Sequence, residues 1–439
     1  MEFKFSLYKK HEFLGLWEDP EIPEKKVVGL LKYDPIEGIT LELEDSFKRQ
    51  SNQFIRGIAS GTEITLVNCF ASKWNGSEFN LGLKYAPSQI NASVVLIGAS
   101  VRNFSEFMIE QFYFKTDDIK QWSQISGFEH SLPYLAEEIK EINFNYKILE
   151  PNIFFEDGRE KIHLGTNLNV SGNFPNSEEP IFKETHYFRI DGLSSFEGCS
   201  KHITNISRFL SFSTRSNVNV EYIMARANGS SVSILERRQS IILGFKAKNI
   251  ELKNMFFCLP RYKDKISQLY SSWVNFIDSS TDFIDLYFYN PSKLPSDIFL
   301  RSAQSLEEIH RSNNQGSDKF GFKRRVESLF AEFDYVMSYT GEKEKFSQLI
   351  QDHRDYFSHW FEKKRHLILA GIELEYLARD ANLLFELSIL KNLGLNKEEI
   401  SHAVMHCQDY SLYLHWKGPK YLEHFPRQIQ WKNNDKEGE

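Results

Sequence analysis

The chain has 439 residues, of which 41% are hydrophobic and 26% charged, a composition typical of a globular protein with two or three domains. No stretch approaches the ~18 consecutive apolar residues of a transmembrane helix, and the N-terminus lacks the apolar core of a signal peptide. We therefore expect a cytoplasmic protein without a membrane partner. The net charge of −7 gives no overall attraction for nucleic acid, although a local basic patch can still bind phosphate.

The first half of the chain has the pattern of β-strands. Residues 39–44 alternate apolar and polar side chains, and turns rich in Gly, Pro and Asp separate neighbouring segments, which predicts hairpins. The predicted strands are Lys26–Tyr33, Ile39–Glu44, Phe54–Ala59, Glu63–Phe70, Ser93–Ile97, Phe107–Lys115, Asn167–Val170 and His186–Ile190. Two helices are also expected here, one capped by Thr116 and running to Trp122, and one over Ser200–Ser213.

After about residue 260, apolar residues recur every three or four positions, which indicates amphipathic helices. The predicted helices cover 296–311 with Pro295 in the first turn, 326–337, 346–357, 374–393 before Gly394, and a fifth from the capping box at Asn396 to about Leu412. The predicted fold class is therefore α+β multidomain. It has a β-rich, sandwich-like region at 1–255, a helical connector at 256–290, an all-α bundle at 291–416 and a polar tail at 417–439.

The third helix of the bundle contains an R-x4-H motif, Arg354 to His359. A histidine suits proton transfer near neutral pH, and an arginine suits the charge of a phosphate. Asp355 lies one helical turn before His359, and we expect its carboxylate to orient the imidazole. Five positions separate Arg354 and His359 by about 140° around a helix. Two such helices at a two-fold axis would bring both pairs into one cleft.

The bundle resembles the ApeA-like domains of the HEPN superfamily. The pattern RxxQxLEExHR is matched by Arg301, Gln304, Leu306, Glu307, His310 and Arg311, and the signature R-[N/D]-xxx-H by Arg354, Asp355 and His359. Asp355 stands where asparagine is commoner, which adds negative charge beside the phosphate. Short glycine and apolar patterns around Trp17, Gly29 and Ile64 resemble the N-terminal domain that accompanies these bundles. The resemblance implies an abortive-infection RNase against phage, with Arg354, Asp355 and His359 as its catalytic residues.

Two basic runs are candidate RNA contacts. Lys363, Lys364 and Arg365 follow the motif, and Lys323 and Arg324 open the preceding helix; solvated helix faces explain both runs equally well. Trp360 suits base stacking or, more simply, packing in the core or a dimer interface. His310 and Arg311 suit the cleft or a favourable interaction with the helix dipole.

No cofactor or metal is expected. The four cysteines show no CxxC spacing, and the chain lacks both the GxxxxGK[ST] and the GxGxxG loops of nucleotide-binding proteins. His402 and His406 lie one helical turn apart, with Cys407 adjacent, and could bind a metal. No third ligand is evident at helical spacing and the HExxH glutamate is absent, so a structural role is the simpler interpretation.

The sequence thus favours a defence effector whose first 255 residues sense a phage protein, by analogy with the family. Its bundle would cut tRNA or another structured RNA as a homodimer or a dimer of dimers, and would leave a 2′,3′-cyclic phosphate. Two alternatives stay open. One is a non-catalytic HEPN module for dimerisation or RNA binding. The other is a carbohydrate-binding protein, which would use the aromatic-rich first half and leave the helical half unexplained.

Overall fold

The protein is described here by a computed structural model. The structure describes residues 3–45, 47, 53–73, 88–103, 106–117, 119–130, 144–158, 160–171, 181–192, 195–238, 251–279, 284, 287–288, 294–314, 319–359 and 361–414. The chain forms two compact units. The first unit contains Met1–Phe212, Ser216–Ile250 and Leu259–Lys263, and the second contains Ser213–Arg215, Glu251–Cys258 and Asp264–Glu439.

Within its described residues, the first unit is built mainly from strands, as the alternating sequence pattern predicts. The strands are β1 (His11–Asp19), β2 (Ile22–Asp34), β3 (Gly38–Leu43), β4 (Phe54–Ala59), β5 (Thr62–Val67), β6 (Phe70–Lys73), β7 (Ser88–Ala92), β8 (Val94–Ile97), β9 (Ile109–Thr116), β10 (Phe128–His130), β11 (Phe144–Tyr146), β12 (Asn152–Asp157), β13 (Glu160–Ser171), β14 (Ile181–Asp191), β15 (Val220–Ala227) and β16 (Ser230–Glu236). Two helices accompany them, α1 (Lys120–Ser123) and α2 (Phe196–Thr214).

In the described part of the chain, 14 of these strands form one antiparallel sheet in the order β12-β13-β14-β9-β15-β16-β8-β5-β4-β1-β2-β3-β7-β6. The two hairpins predicted at residues 34–38 and 60–62 are confirmed, as β2–β3 and β4–β5. The indole of Trp17 is fully buried and donates from Nε1 to the Gly29 carbonyl at 2.9 Å. Gly57 lies against this ring, where a β-carbon would come within 2.3 Å of the indole, so the site requires glycine.

The helix expected after Thr116 begins later than the sequence suggests. Thr116 ends strand β9, and its hydroxyl donates to the Asp117 carbonyl at 3.1 Å rather than capping a helix. Helix α1 starts at Lys120 and has no side-chain cap. The second expected helix is confirmed as α2, whose apolar face at Ile203, Ile206, Phe209 and Leu210 is completely buried.

The second unit is helical in its described residues. Its helices are α3 (Ile266–Ser279), α4 (Pro295–Asn313), α5 (Phe322–Glu332), α6 (Asp334–Met337), α7 (Lys343–His359), α8 (Ile372–Asn392), α9 (Lys397–His406) and α10 (Gln408–Leu412), with 3₁₀ turns at Leu252–Asn254 and Glu362–Leu367. Helix α8 packs mainly against α4, and α5 against α7. Their contact faces are apolar, as the periodicity predicts.

Two helices are shorter than expected. The apolar stripe over 326–337 is divided at Phe333 into α5 and α6. The capping box at Asn396 is present with both of its hydrogen bonds, but α9 ends at His406 because Cys407 is extended, and α10 then begins. The predicted polar tail lies outside the described residues. The α+β fold class is confirmed, and the predicted domain limits stay predictions. No described helix is long and apolar enough to cross a membrane.

Candidate active site on the seventh helix

Helix α7 carries the motif residues at its C-terminal end. Its apolar side is buried through Phe346, Leu349 and Ile350, and this packing fixes the helix in the unit. Arg354 and Asp355 are partly buried, whereas His359 is exposed at the last residue of α7. The helix therefore holds the arginine among packed neighbours and presents the histidine to solvent.

Arg354 is anchored to the first helix of the bundle. Its Nη2 donates to Glu307 Oε2 on α4 at 2.9 Å, and its guanidinium lies 5.0 Å from the ring centre of Phe322. Glu307 also accepts a hydrogen bond from Arg311 at 2.8 Å, and Arg325 Nη1 lies 3.8 Å from it. Three arginines thus share the carboxylate of Glu307. The sequence pattern contains Glu307, but sequence reasoning gave it no role.

Asp355 does not orient His359. Its Oδ1 accepts from Gln351 Nε2 at 2.7 Å and its Oδ2 from Lys364 Nζ at 2.8 Å. The expected pairing is wrong because a lysine from the following segment reaches this carboxylate. Burial alone would raise the pKa of Asp355, but the hydrogen bonds from Lys364 and Gln351 lower it overall. Among the described residues, His359 packs on the Phe361 ring with 5.5 Å between ring centres and has no hydrogen bond.

The predicted basic contacts divide into two kinds. Lys364 bridges Asp352 and Asp355 at 2.9 and 2.8 Å, which fastens the 3₁₀ turn Glu362–Leu367 to α7. Burial lowers the pKa of Lys364, but its two carboxylate partners raise it overall. Lys323 donates to Gln348 at 2.9 Å. Arg324 and Arg365 are exposed, and the side chain of Lys363 lies outside the described residues, as does Trp360.

His353, one position before Arg354, is a structural histidine that the sequence showed only as part of an apolar stripe. It is fully buried, its Nδ1 donates to the Leu349 carbonyl at 2.8 Å, and its Nε2 accepts from the Leu369 amide at 2.8 Å. These partners require the neutral ring with its proton on Nδ1. Burial lowers the pKa of His353 to about 4. This ring joins α7 to the backbone that follows the motif.

The other histidines singled out in the sequence are elsewhere. His310 is buried, so its position does not support a place in an open cleft, which was one of two interpretations of the sequence. Burial together with Arg325 lowers its pKa. The rings of His402 and His406 stack with 3.6 Å between centres, while the sulfur of Cys407 lies 3.1 Å from Arg215 Nη1. Within the described ranges, no group of three His, Cys, Asp or Glu side chains has the arrangement of a metal site.

Two family models match the chain. ApeA N-terminal domain 1 matches residues 12–273, which is more than half of the chain, and Apea-like HEPN matches residues 292–399. The chain belongs to the ApeA-like HEPN family. At the family level this is a HEPN nuclease-type effector of abortive infection, and HEPN domains typically act as dimers. The HEPN match includes Glu307, Arg354 and His359. No curated protein and no solved structure is significantly similar to the chain.

Proposed function

We propose that this protein is a metal-independent endoribonuclease in which Arg354 and His359 of two copies form one cleft. The observation that carries the proposal is the contrast between these two side chains on one helix. Arg354 is held in place by its hydrogen bond to Glu307, whereas His359 is exposed and, in the described part of the chain, has no hydrogen-bond partner. An exposed imidazole can reach a substrate and act on it as a general acid or base.

The proposed reaction begins when one imidazole removes the proton from a ribose 2′-hydroxyl. The 2′-oxygen then forms a bond to phosphorus, and the bond from phosphorus to the 5′-oxygen breaks. A second, protonated imidazole gives its proton to the departing 5′-oxygen, so the products are a 2′,3′-cyclic phosphate and a 5′-hydroxyl. Arg354 would stabilise the charge that develops on the phosphate oxygens.

A dimer is part of the proposal because one helix cannot supply both imidazoles. Phe361 is half exposed and packs on His359, so an apolar side chain adjoins the proposed cleft. For the substrate we propose tRNA or another looped RNA, since unstacked loop nucleotides can adopt the in-line geometry that this reaction needs. The exposed Arg324 and Arg365 would contact its backbone, together with Lys363. The first unit would sense a phage protein, by analogy with the family.

The second candidate is a non-catalytic HEPN module that dimerises or binds RNA. It is favoured by the engagement of Arg354 with Glu307 and of Lys364 with Asp352 and Asp355, because these cations are partly neutralised within the chain. The two candidates differ in whether RNA ends appear that depend on His359.

The experiment is to sequence RNA ends from phage-infected cells that express the wild type, Arg354→Ala, His359→Ala or the control Ser358→Ala. Ser358 is the exposed neighbour of His359 and has no assigned role. Loss of a proton-transfer group costs about 10²–10⁴-fold in rate, so both site variants should lose cleavage while Ser358→Ala keeps it. Cleavage by the purified active protein should also persist in EDTA. Wild-type cleavage by both site variants would disprove the catalytic assignment.

A further inference from the structure

The second unit contains a cavity that shares no lining residue with the cluster around Arg354. Its volume is about 430 Å³, within the range of about 300–1,000 Å³ that is usual for small-ligand pockets. Three arginines from separate segments line it: Arg215 after α2, Arg301 on α4 and Arg379 on α8. This concentration of guanidinium groups is the feature that points to a ligand.

The described lining has an excess of positive charge. Glu375 is its acidic member, and this side chain is exposed. A buried carboxylate, Glu386, stands behind the lining, but neutral groups satisfy it: Tyr287 and Tyr410 donate to it at 2.6 Å and Asn382 at 3.0 Å. Arg215 Nε is 4.0 Å from Glu386 and forms no hydrogen bond with it. The ion pairs with Glu386 and Asp409 therefore balance part of the charge of Arg215, but neither carboxylate accepts a hydrogen bond from its Nε.

Arg215 occupies a backbone conformation that disfavours its side chain. Its φ is +51°, in the left-handed region, at the end of a helix where glycine or asparagine is usual. Such strain often marks a functional position. The guanidinium is held 4.1 Å from the ring centre of Tyr410, and Nη1 lies 3.4 Å from Asp409 Oδ2. Its Nε is buried and donates to no acceptor in the described part of the chain.

Arg379 is also held in place rather than extended into solvent. Its Nη2 donates to the Asp409 carbonyl at 2.7 Å, and its guanidinium lies 4.3 Å from the ring centre of Tyr413. Aromatic stacking and a carbonyl hydrogen bond leave the charge of an arginine uncompensated while they restrict its motion. Two restrained guanidinium groups thus line one cavity before any ligand arrives.

We propose that this cavity binds the phosphoryl group of a small phosphorylated ligand of nucleotide size. Guanidinium groups are planar donors that match phosphate oxygens in pairs, and three of them line this cavity. The proposal does not rest on RNA cleavage, because its residues and its readout are separate from those of Arg354 and His359.

The test is isothermal titration calorimetry of the full chain with inorganic phosphate, AMP and adenosine. Phosphate and AMP should bind, and adenosine, which has no phosphoryl group, should not. Arg379→Gln and Arg215→Asn should each weaken AMP binding about 10-fold or more, the usual effect of losing one charge-assisted hydrogen bond. Asparagine tolerates the left-handed backbone at 215, so this variant keeps the turn while it removes the guanidinium.

Arg261→Gln is the matched control, because Arg261 is exposed and belongs to the first unit, and it should bind AMP as the wild type does. If Arg215→Asn does not fold, as judged by circular dichroism, Arg379→Gln still decides the result. Absence of AMP and phosphate binding at millimolar concentration would overturn the proposal. So would AMP affinity that neither arginine variant changes, or Arg379-dependent binding of a 5′-phosphorylated RNA oligonucleotide alone, which would assign the cavity to RNA.

Discussion

The carboxylate of Glu307 forms an ion pair with Arg354 and so balances part of its positive charge. One acid shared by three arginines holds Arg354 in place, and in the proposed ribonuclease it would also compete with RNA phosphate for this arginine. The same contact therefore has a structural benefit and an electrostatic cost. Which effect dominates can be measured, because glutamine has the shape of glutamate without its charge.

Glu307→Gln should strengthen RNA binding about threefold or more, because one more cation becomes available to the phosphates. The slope of the logarithm of the binding constant against the logarithm of the salt concentration should become steeper by the amount expected for roughly one more phosphate contact. The measurement is fluorescence anisotropy of a labelled RNA across a salt series, in a His359→Ala background that prevents cleavage. Glu308→Gln is the control, since the side chain of Glu308 is about half exposed and its ion pair is with Arg311. Equal salt slopes for Glu307→Gln and the parent would contradict the competition between Glu307 and RNA.

His353 should make the stability of the protein depend on pH. Its pKa is about 4 in the folded chain and about 6.5 in an unfolded one, so the unfolded state binds the proton more readily. The stabilisation is present above pH 6.5 and decreases as the pH falls toward 4. Between pH 7.5 and pH 5 this amounts to about 2 kcal/mol.

Urea unfolding at these two pH values, followed by circular dichroism, measures this effect. His353→Gln removes the titrating ring and should lose that part of the pH dependence, at a cost in stability at pH 7.5 because Leu349 and Leu369 lose their common partner. His406→Gln is the control, since His406 is exposed. An unchanged pH dependence in His353→Gln would show that another group is responsible.

At the scale of elements, the start of α9 is the clearest case of local sequence that determines local structure. Asn396 accepts from the Glu399 amide at 2.9 Å, and Glu399 accepts from the Asn396 amide at 3.0 Å. Glu399 also forms an ion pair with Lys265, the residue that precedes α3. The cap thus fixes the helix end and a contact with the segment that leads into α3.

Asn396→Ala should lower the free energy of unfolding by about 1 kcal/mol, the usual cost of losing an N-cap. Asn396→Asp keeps an acceptor at the same place and should restore most of the loss. Thermal melting of the three proteins at neutral pH measures both effects. A melting temperature for Asn396→Ala equal to that of the wild type would mean that the cap contributes nothing to the stability of this unit.

The sequence predicted correctly those elements whose structure depends on residues close to them along the chain. The hairpins at 34–38 and 60–62, the apolar face of α4 and the cap at Asn396 all depend on side chains within a few positions. Helix α9 ends at Cys407, although no glycine or proline in the sequence predicts an end there. The hydroxyl of Thr116 donates to the carbonyl of the next residue and does not cap a helix.

The parts that the sequence did not predict depend on distant partners. Strand β16 pairs with β8, more than a hundred residues earlier, and β9 lies between β14 and β15. Neither pairing leaves a local pattern. At the site, the helical spacing of Asp355 and His359 suggested a bond, but spacing does not reveal that Lys364 returns to the same carboxylate. Arg354, Asp355 and His359 could be selected as candidates, whereas Glu307 and His353 gain their roles only from the fold.

At the scale of the whole molecule, the proposed cleft requires two copies. Purified protein at micromolar concentration should have at least twice the mass of the chain by light scattering. Phe361→Glu places a charge on the exposed apolar surface beside His359 and should shift the protein toward the monomer with loss of cleavage. Leu412→Glu is the control, because Leu412 is equally half exposed but belongs to α10. A monomer with full RNase activity would rule out a shared cleft.

The order of the elements along the chain has a consequence for synthesis on the ribosome. Every described strand of the large sheet ends by Glu236, and Arg354 follows about 120 residues later. At roughly 5–20 residues per second, translation takes on the order of 6–24 s to cover this distance. The last strand, β16, pairs with β8 and β15, and both of these strands are translated before it. Each nascent chain can therefore complete its sheet before its own R-x4-H motif has been translated.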